Sequence, residues 1–223
     1  HEIKKGVINI EIEKTFKVRP DSYCAVRLFY SNNLKSASFK VRYFYSLIKL
    51  SKLASKHYSK VNYPIEEHST FGFFKNEDTK LEDHYDRSRP IKTYLLNRFN
   101  PKKKYIRYHL SESFGKPENK LLLDATKKVV AGINKAFIRA NMTTKIKLLK
   151  PSKIHPGDLR INSIVLIDDP LANGLLGYGP SVTNPRTGEI VQAHTNMYGG
   201  VLKSQTRYIY NSMVQISKQS IST

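Results

Sequence analysis

The sequence predicts an α+β chain. A β-rich leading domain with a connecting loop at its end occupies residues 1–90, and a mixed sheet with one long packing helix occupies 91–223. Three observations carry this. Apolar and polar residues alternate through residues 6–50. One stretch, Asn119 to Ala140, repeats apolar residues at three- and four-residue steps. Asn184-Pro185-Arg186-Thr187-Gly188 sets a tight turn between two short arms.

The elements follow in order. Val7, Asn9, Glu11 and Glu13 alternate with Ile8, Ile10 and Ile12, which gives a strand with one apolar face. Ser22–Tyr30 and Ser38–Leu50 repeat the habit around a turn at Ser31-Asn32-Asn33, a meander in outline. From Ser69 to Pro90 the text is acidic and irregular, and it reads as a connecting segment. Lys103–Leu110 alternates again, with Ile106, Tyr108 and Leu110 on one face and Tyr105, Arg107 and His109 on the other. In the helix, Leu122, Thr126, Val129, Ile133, Phe137 and Ala140 form the stripe, and Pro117 sits just ahead of its start. Lys145–Leu149 reads as a short strand, Pro151–Gly157 as a loop and Ile161–Ile167 as a buried strand.

The turn at 184–188 has a direct physical basis. Proline presets φ for the first turn position, Asn184 can bond the backbone ahead, and Gly188 supplies a left-handed conformation. Ser181–Thr183 and Glu189–Asn196 are then the arms of a hairpin, approached through Gly177, Gly179 and Pro180.

Composition narrows the function. The chain of 223 residues is 39% apolar, and no run reaches the ~20 apolar residues of a membrane-spanning helix. Its one cysteine, Cys24, lies in strand-like text, which excludes an internal disulfide and a cysteine-built zinc site. Lys and Arg number 38 against 18 Asp and Glu, a net charge of +20. Residues 1–150 hold 32 basic and 14 acidic side chains, whereas 151–223 hold 6 and 4, so the hairpin region is nearly neutral. The basic front, with cations and aromatics interleaved in KKKYIRYH at residues 102–109, suits a binding module for nucleic acid or an anionic surface. A wet, lysine-rich surface explains the same text, and nucleic acid is the less favoured partner.

Other motifs are weak. Gly177-Tyr178-Gly179-Pro180-Ser181 lacks the Gly-Lys-Ser/Thr ending of a phosphate loop. The histidines at 1, 57, 68, 84, 109, 155 and 194 never take His-Glu-x-x-His spacing, so no metal ligands and no catalytic residues are expected within this chain. Asp168-Asp169 could hold a cation at a strand end, but reads better as a solvated loop.

Several pieces, in order, resemble bacterial zinc-dependent metallopeptidases of the metzincin type, related in their catalytic half to matrixins. They are Phe71-Gly72-Phe73-Phe74, Ile91–Phe99, Ala131-Gly132-Ile133-Asn134-Lys135-Ala136-Phe137, Asp158-Leu159-Arg160-Ile161-Asn162-Ser163-Ile164, and Gly179-Pro180-Ser181 through Asn184-Pro185-Arg186-Thr187-Gly188-Glu189-Ile190. The chain departs from that pattern in having no tryptophan and in carrying Ile65 after Tyr63-Pro64. The resemblance implies that residues 91–223 form the upper subdomain of such a protease, without its zinc-binding helix. It also implies a zinc held by ligands outside this chain, a catalytic subdomain as partner, and export from the cytoplasm. The strand after the turn would be a sheet edge that aligns a polypeptide substrate through Glu189, Ile190, Val191, Gln192, Ala193, His194, Thr195 and Asn196.

Overall fold

The computed structural model describes residues 2–4, 6–17, 38–63, 70, 72–80, 91–169 and 174–219. Cys24, the expected strand Ser22–Tyr30 with its turn at Ser31-Asn32-Asn33, His1, Ile65, His68, Phe71 and His84 lie outside the described residues.

The chain is α+β, as its alternating and helical periods predict. Strands β1 (Glu2–Lys4), β2 (Val7–Lys17) and β3 (Ser38–Ile48) form an antiparallel sheet in the order β1-β2-β3. β2 and β3 pair from Val7↔Ile48 to Lys17↔Ser38. Strict alternation sorts their side chains. Ile8, Ile12, Phe16, Phe39, Tyr43 and Leu47 share one exposed apolar face. Ion pairs Glu13–Lys40 and Glu11–Arg42 lie on the other. That second face also carries Asn9, Phe44 and Ser46, which meet the loop before β8 described below.

A short helix α1 (Leu50–Leu53) follows. β4 (Lys75–Lys80) and β5 (Ile91–Leu96) then pair antiparallel. The stretch expected to be an irregular connection therefore contains a strand. The pairing runs across residue 90, so a division at 90/91 cuts a hydrogen-bonded ladder. KNEDTK has no apolar alternation. Its place is fixed by partners instead: Glu77 pairs with Lys92 at 2.7 Å, and the Lys75 ammonium sits 4.2 Å over the Tyr94 ring.

The larger sheet comes from β6 (Tyr105–Ser111), β7 (Lys145–Ser152), β8 (Asn162–Ile167), β9 (Gly177–Tyr178), β10 (Ser181–Thr183) and β11 (Ile190–Tyr198). Its order is β10-β11-β8-β6-β7, with β9 also on β11. β7, β6, β8 and β11 run parallel, whereas β10 and β9 run antiparallel to β11. Helix α2 (Lys120–Arg139) makes the crossover from β6 to β7 and lies within a residue of its predicted span. Leu110, Phe114 and Leu166 centre the core, with Leu122, Leu123, Leu148, Ile164 and Met197 packed around them.

Two details differ from expectation. β7 continues through Pro151 to Ser152, because β7 is the margin of the sheet and an edge tolerates a residue without an N–H. A second long helix, α3 (Gly199–Gln219), follows β11. Burial in α3 is concentrated at Gly199–Val201, and Tyr208, Ile209, Tyr210, Met213 and Ile216 are exposed. Leu202, Thr206, Ile209, Met213 and Ile216 recur in α3 at three- and four-residue steps, the same period that announces α2, so the sequence carried a signal for this helix as well. No helix among the described residues is long and apolar enough to cross a membrane.

Asn134 of α2 joins helix to sheet edge. Its amide donates to the carbonyl of Ile146 at 2.9 Å and its carbonyl accepts the Ile146 N–H at 2.8 Å. Both main-chain groups of an edge residue are thereby satisfied.

Candidate functional site

The hairpin forms as its turn residues dictate. The Asn184 side chain accepts the N–H of Arg186 at 3.0 Å, and the Asn184 carbonyl accepts the N–H of Gly188 at 2.8 Å. Pro185 occupies the turn between them, and Gly188 takes φ 74°. A Cβ there would also collide with the carbonyl oxygen of Leu96, so glycine is required twice over.

The position of the hairpin in the sheet corrects the sequence reading. Residues 189–196 are not an edge. On one side β11 pairs with β10 (Val182↔Gln192) and then β9 (Asn196↔Tyr178). On the other it meets Arg98, whose carbonyl accepts the Ile190 N–H at 2.8 Å, and then β8 from His194 to Tyr198. The glycine-rich approach to the hairpin is what seals the strand. A Cβ on Gly177 would lie 3.3 Å from the Asn196 carbonyl oxygen, and one on Gly179 3.4 Å from the Thr195 hydroxyl. Among the described residues the margin of the sheet here is β10. Pro180 accepts the His194 N–H and Asn184 donates to Glu189, so alternation leaves the main-chain groups of Ser181 and Thr183 on the outer side. Asn76 flanks this margin by bonding the Thr183 hydroxyl at 2.9 Å.

Between Thr183↔Ile190 and Val182↔Gln192 the register shifts by one residue, leaving Val191 as a bulge. Ile190 lines a cavity with Phe137 and Met142, on the α2 side. Val191 lines a different cavity, with Arg107 and His109, on the opposite side. Beyond the bulge, Thr195 and Met197 return to the α2 side.

The remaining predicted residues have structural partners. Glu189 has no solvent exposure; it accepts the Ser55 N–H at 2.8 Å and the Ser55 hydroxyl at 2.5 Å, with Lys103 Nζ 3.5 Å away. Gln192 is buried and donates to the Pro156 carbonyl at 3.3 Å. The Ala193 N–H reaches the Asn162 side chain at 2.9 Å. His194 stands in register with Ser163, and Ser163 with His109, so the three form a polar row across β11, β8 and β6. Burial holds the His194 imidazole below its ordinary pKa, and its Nδ1 and the Ser163 hydroxyl are buried with no hydrogen-bond partner among the described residues.

Asp158 and Arg160 anchor the entry to β8. Burial opposes ionisation of Asp158. Hydrogen bonds from the Arg160 side chain and main chain, with the guanidinium charge, outweigh it and hold the carboxyl below its usual value. Asn9 reaches the same carboxylate at 3.5 Å, and His155 stacks on Phe44 with ring centres 4.6 Å apart. Asp168, read from the sequence as part of a solvated loop, instead pairs with the Lys116 ammonium at 2.8 Å, and Asn119 donates to the same carboxylate. Sequence reasoning missed Ser55 and Lys103, which carry no local pattern that marks them.

Among the described residues no group of three or more His, Cys, Asp and Glu is placed to hold a metal. No family model matches the chain, and neither a curated protein nor a solved structure matches it significantly.

Proposed function

We propose that this chain is the non-catalytic part of a zinc metalloendopeptidase, a scaffold whose sheet margin aligns a polypeptide substrate. The observation that carries the reading is the layout of residues 91–219. A parallel four-strand core with an α2 crossover ends in an antiparallel hairpin whose outer strand is short and, among the described residues, unpaired on one side. This supports the upper-subdomain order of strand, helix, strand, strand and hairpin that the motif resemblance implies. The aligning strand is β10, because β11 has both flanks occupied. The described residues do not fit a zinc ion, so no step of hydrolysis is assigned to them. The apolar side chains exposed on α3 support a further body of the same protein as partner. Export belongs to the same reading.

Two outward-facing residues offer about four main-chain hydrogen bonds at roughly 1 kcal/mol each, which corresponds to a dissociation constant of order 1 mM. Fluorescence anisotropy with an extended, uncharged peptide tests this. Ser181→Pro removes one outward N–H and leaves the bonds to β11 in place, so it should weaken binding several-fold with Tm unchanged. Equal binding by the variant would contradict β10 as the docking strand.

A further inference from the structure

On the α2 side of the large sheet, helix and strands enclose a cavity of about 380 Å³, within the size range of small-molecule sites. Its floor crosses four adjacent strands, from Ile146 on β7 through Tyr108 on β6 and Ile164 on β8 to Met197 on β11. Three strand spacings make that floor about 14 Å long. Helix α2 forms the wall. Val129 and Ile133 belong to the apolar stripe predicted to face the sheet, yet they border this space and stay 61% and 36% exposed. No charged side chain is among the described lining residues. The lining carries three hydroxyls. That of Thr126 donates to the Leu122 carbonyl at 2.8 Å, which leaves those of Tyr108 and Thr195 with no hydrogen-bond partner among the described residues. Burial raises the Tyr108 phenol above its ordinary pKa, so it keeps its proton and can donate.

We infer that this cavity binds a small neutral lipid, a hydrocarbon chain with one uncharged hydrogen-bonding head. The apolar lining favours the chain, because both surfaces leave water when they meet. The two unbonded hydroxyls suit a head that both donates and accepts, as an alcohol does. A fatty carboxylate fits less well, since its charge would enter a lining that holds no cation. A peptide strand also fits less well. Its main chain brings an N–H and a C=O at nearly every residue, more than two hydroxyls can satisfy. The site uses none of the β10 margin and does not rest on the peptidase reading.

Isothermal titration calorimetry on the whole chain tests this, with 1-octanol, 1-hexanol and octanoate as probes. 1-Octanol should bind one per chain, and 1-hexanol, two methylenes shorter, about tenfold more weakly. Octanoate at pH 8 should bind at least tenfold more weakly than 1-octanol. Ala125→Leu fills the space from the helix wall with a residue that suits a helix. It should lose at least tenfold in 1-octanol affinity, with Tm unchanged or raised. Tyr108→Phe keeps the ring but removes one partner of the head, and should lose several-fold. K128Q on the exposed surface of α2 should match the parent chain. Circular dichroism melts of each variant separate lost binding from lost folding, and Tyr108→Phe keeps the test open should Ala125→Leu not fold. Octanoate binding as tightly as 1-octanol would overturn the neutral-lipid assignment. 1-Octanol binding that Ala125→Leu leaves unchanged, or no saturable binding at millimolar concentration, would overturn the site. So would a dimer in sedimentation equilibrium that Ala125→Leu dissociates, since protein would then fill the cavity.

Discussion

The Glu189 carboxylate, fully enclosed, accepts both the main-chain N–H and the hydroxyl of Ser55, a residue 134 positions earlier. One side chain therefore ties the segment after α1 to the foot of the hairpin. Lys103 supplies the nearby positive charge. This makes Glu189 a structural latch rather than a substrate contact. Glu189→Ala should cost about 3 kcal/mol, because it leaves two half-buried Ser55 donors without their acceptor and opens a cavity where the enclosed carboxylate stood. Glu189→Gln, which keeps the shape and one acceptor, should cost about 1 kcal/mol. Urea unfolding with unchanged m values measures both.

Asn134 is the corresponding clip at the other sheet margin. Asn134→Leu should cost about 2 kcal/mol, since it leaves both main-chain groups of Ile146 without their partner. Hydrogen exchange at the Ile146 amide should quicken more than exchange at the centre of β6.

Two glycines should respond in opposite directions. Gly188→Ala forces a Cβ against the Leu96 carbonyl at a left-handed φ, and should destabilise by more than about 1 kcal/mol. Gly132 lies within α2, and a Cβ added there would meet nothing within 4 Å, so Gly132→Ala should stabilise by about 0.5–1 kcal/mol. Thermal melts of the pair decide it.

Stability should weaken with acid in two steps. His194 is held below 6.5 in the folded chain by burial, so the unfolded chain takes up its proton first. Its contribution is complete above pH 6.5 and is lost as pH falls from there, and His194→Gln should flatten that limb. Asp158 is held below 3.8. Its contribution is intact above that value and is lost as pH falls further. Urea midpoints across pH 3–8 test both signs.

What was legible in the sequence was local. The turn at Asn184–Gly188 and helix α2 rest on turn chemistry and one-sided periodicity, both of which act within a few residues. β4 was illegible because its residues have no apolar alternation and are held by β5. The internal place of β11 was illegible for a related reason. Which strand flanks which is a tertiary property, and nothing local in Gly177 and Gly179 shows that what they provide is close approach to β11. The bulge at Val191 left no signal either, since it depends on register with β10.

Amide hydrogen exchange, read residue by residue with and without a saturating extended peptide, tests the central claim most directly. Protection gained at Ser181 and Thr183, with β11 amides already slow and unchanged, is the predicted result. Protection gained along 189–196 instead, or none at β10, would contradict a docking margin on the outer hairpin strand.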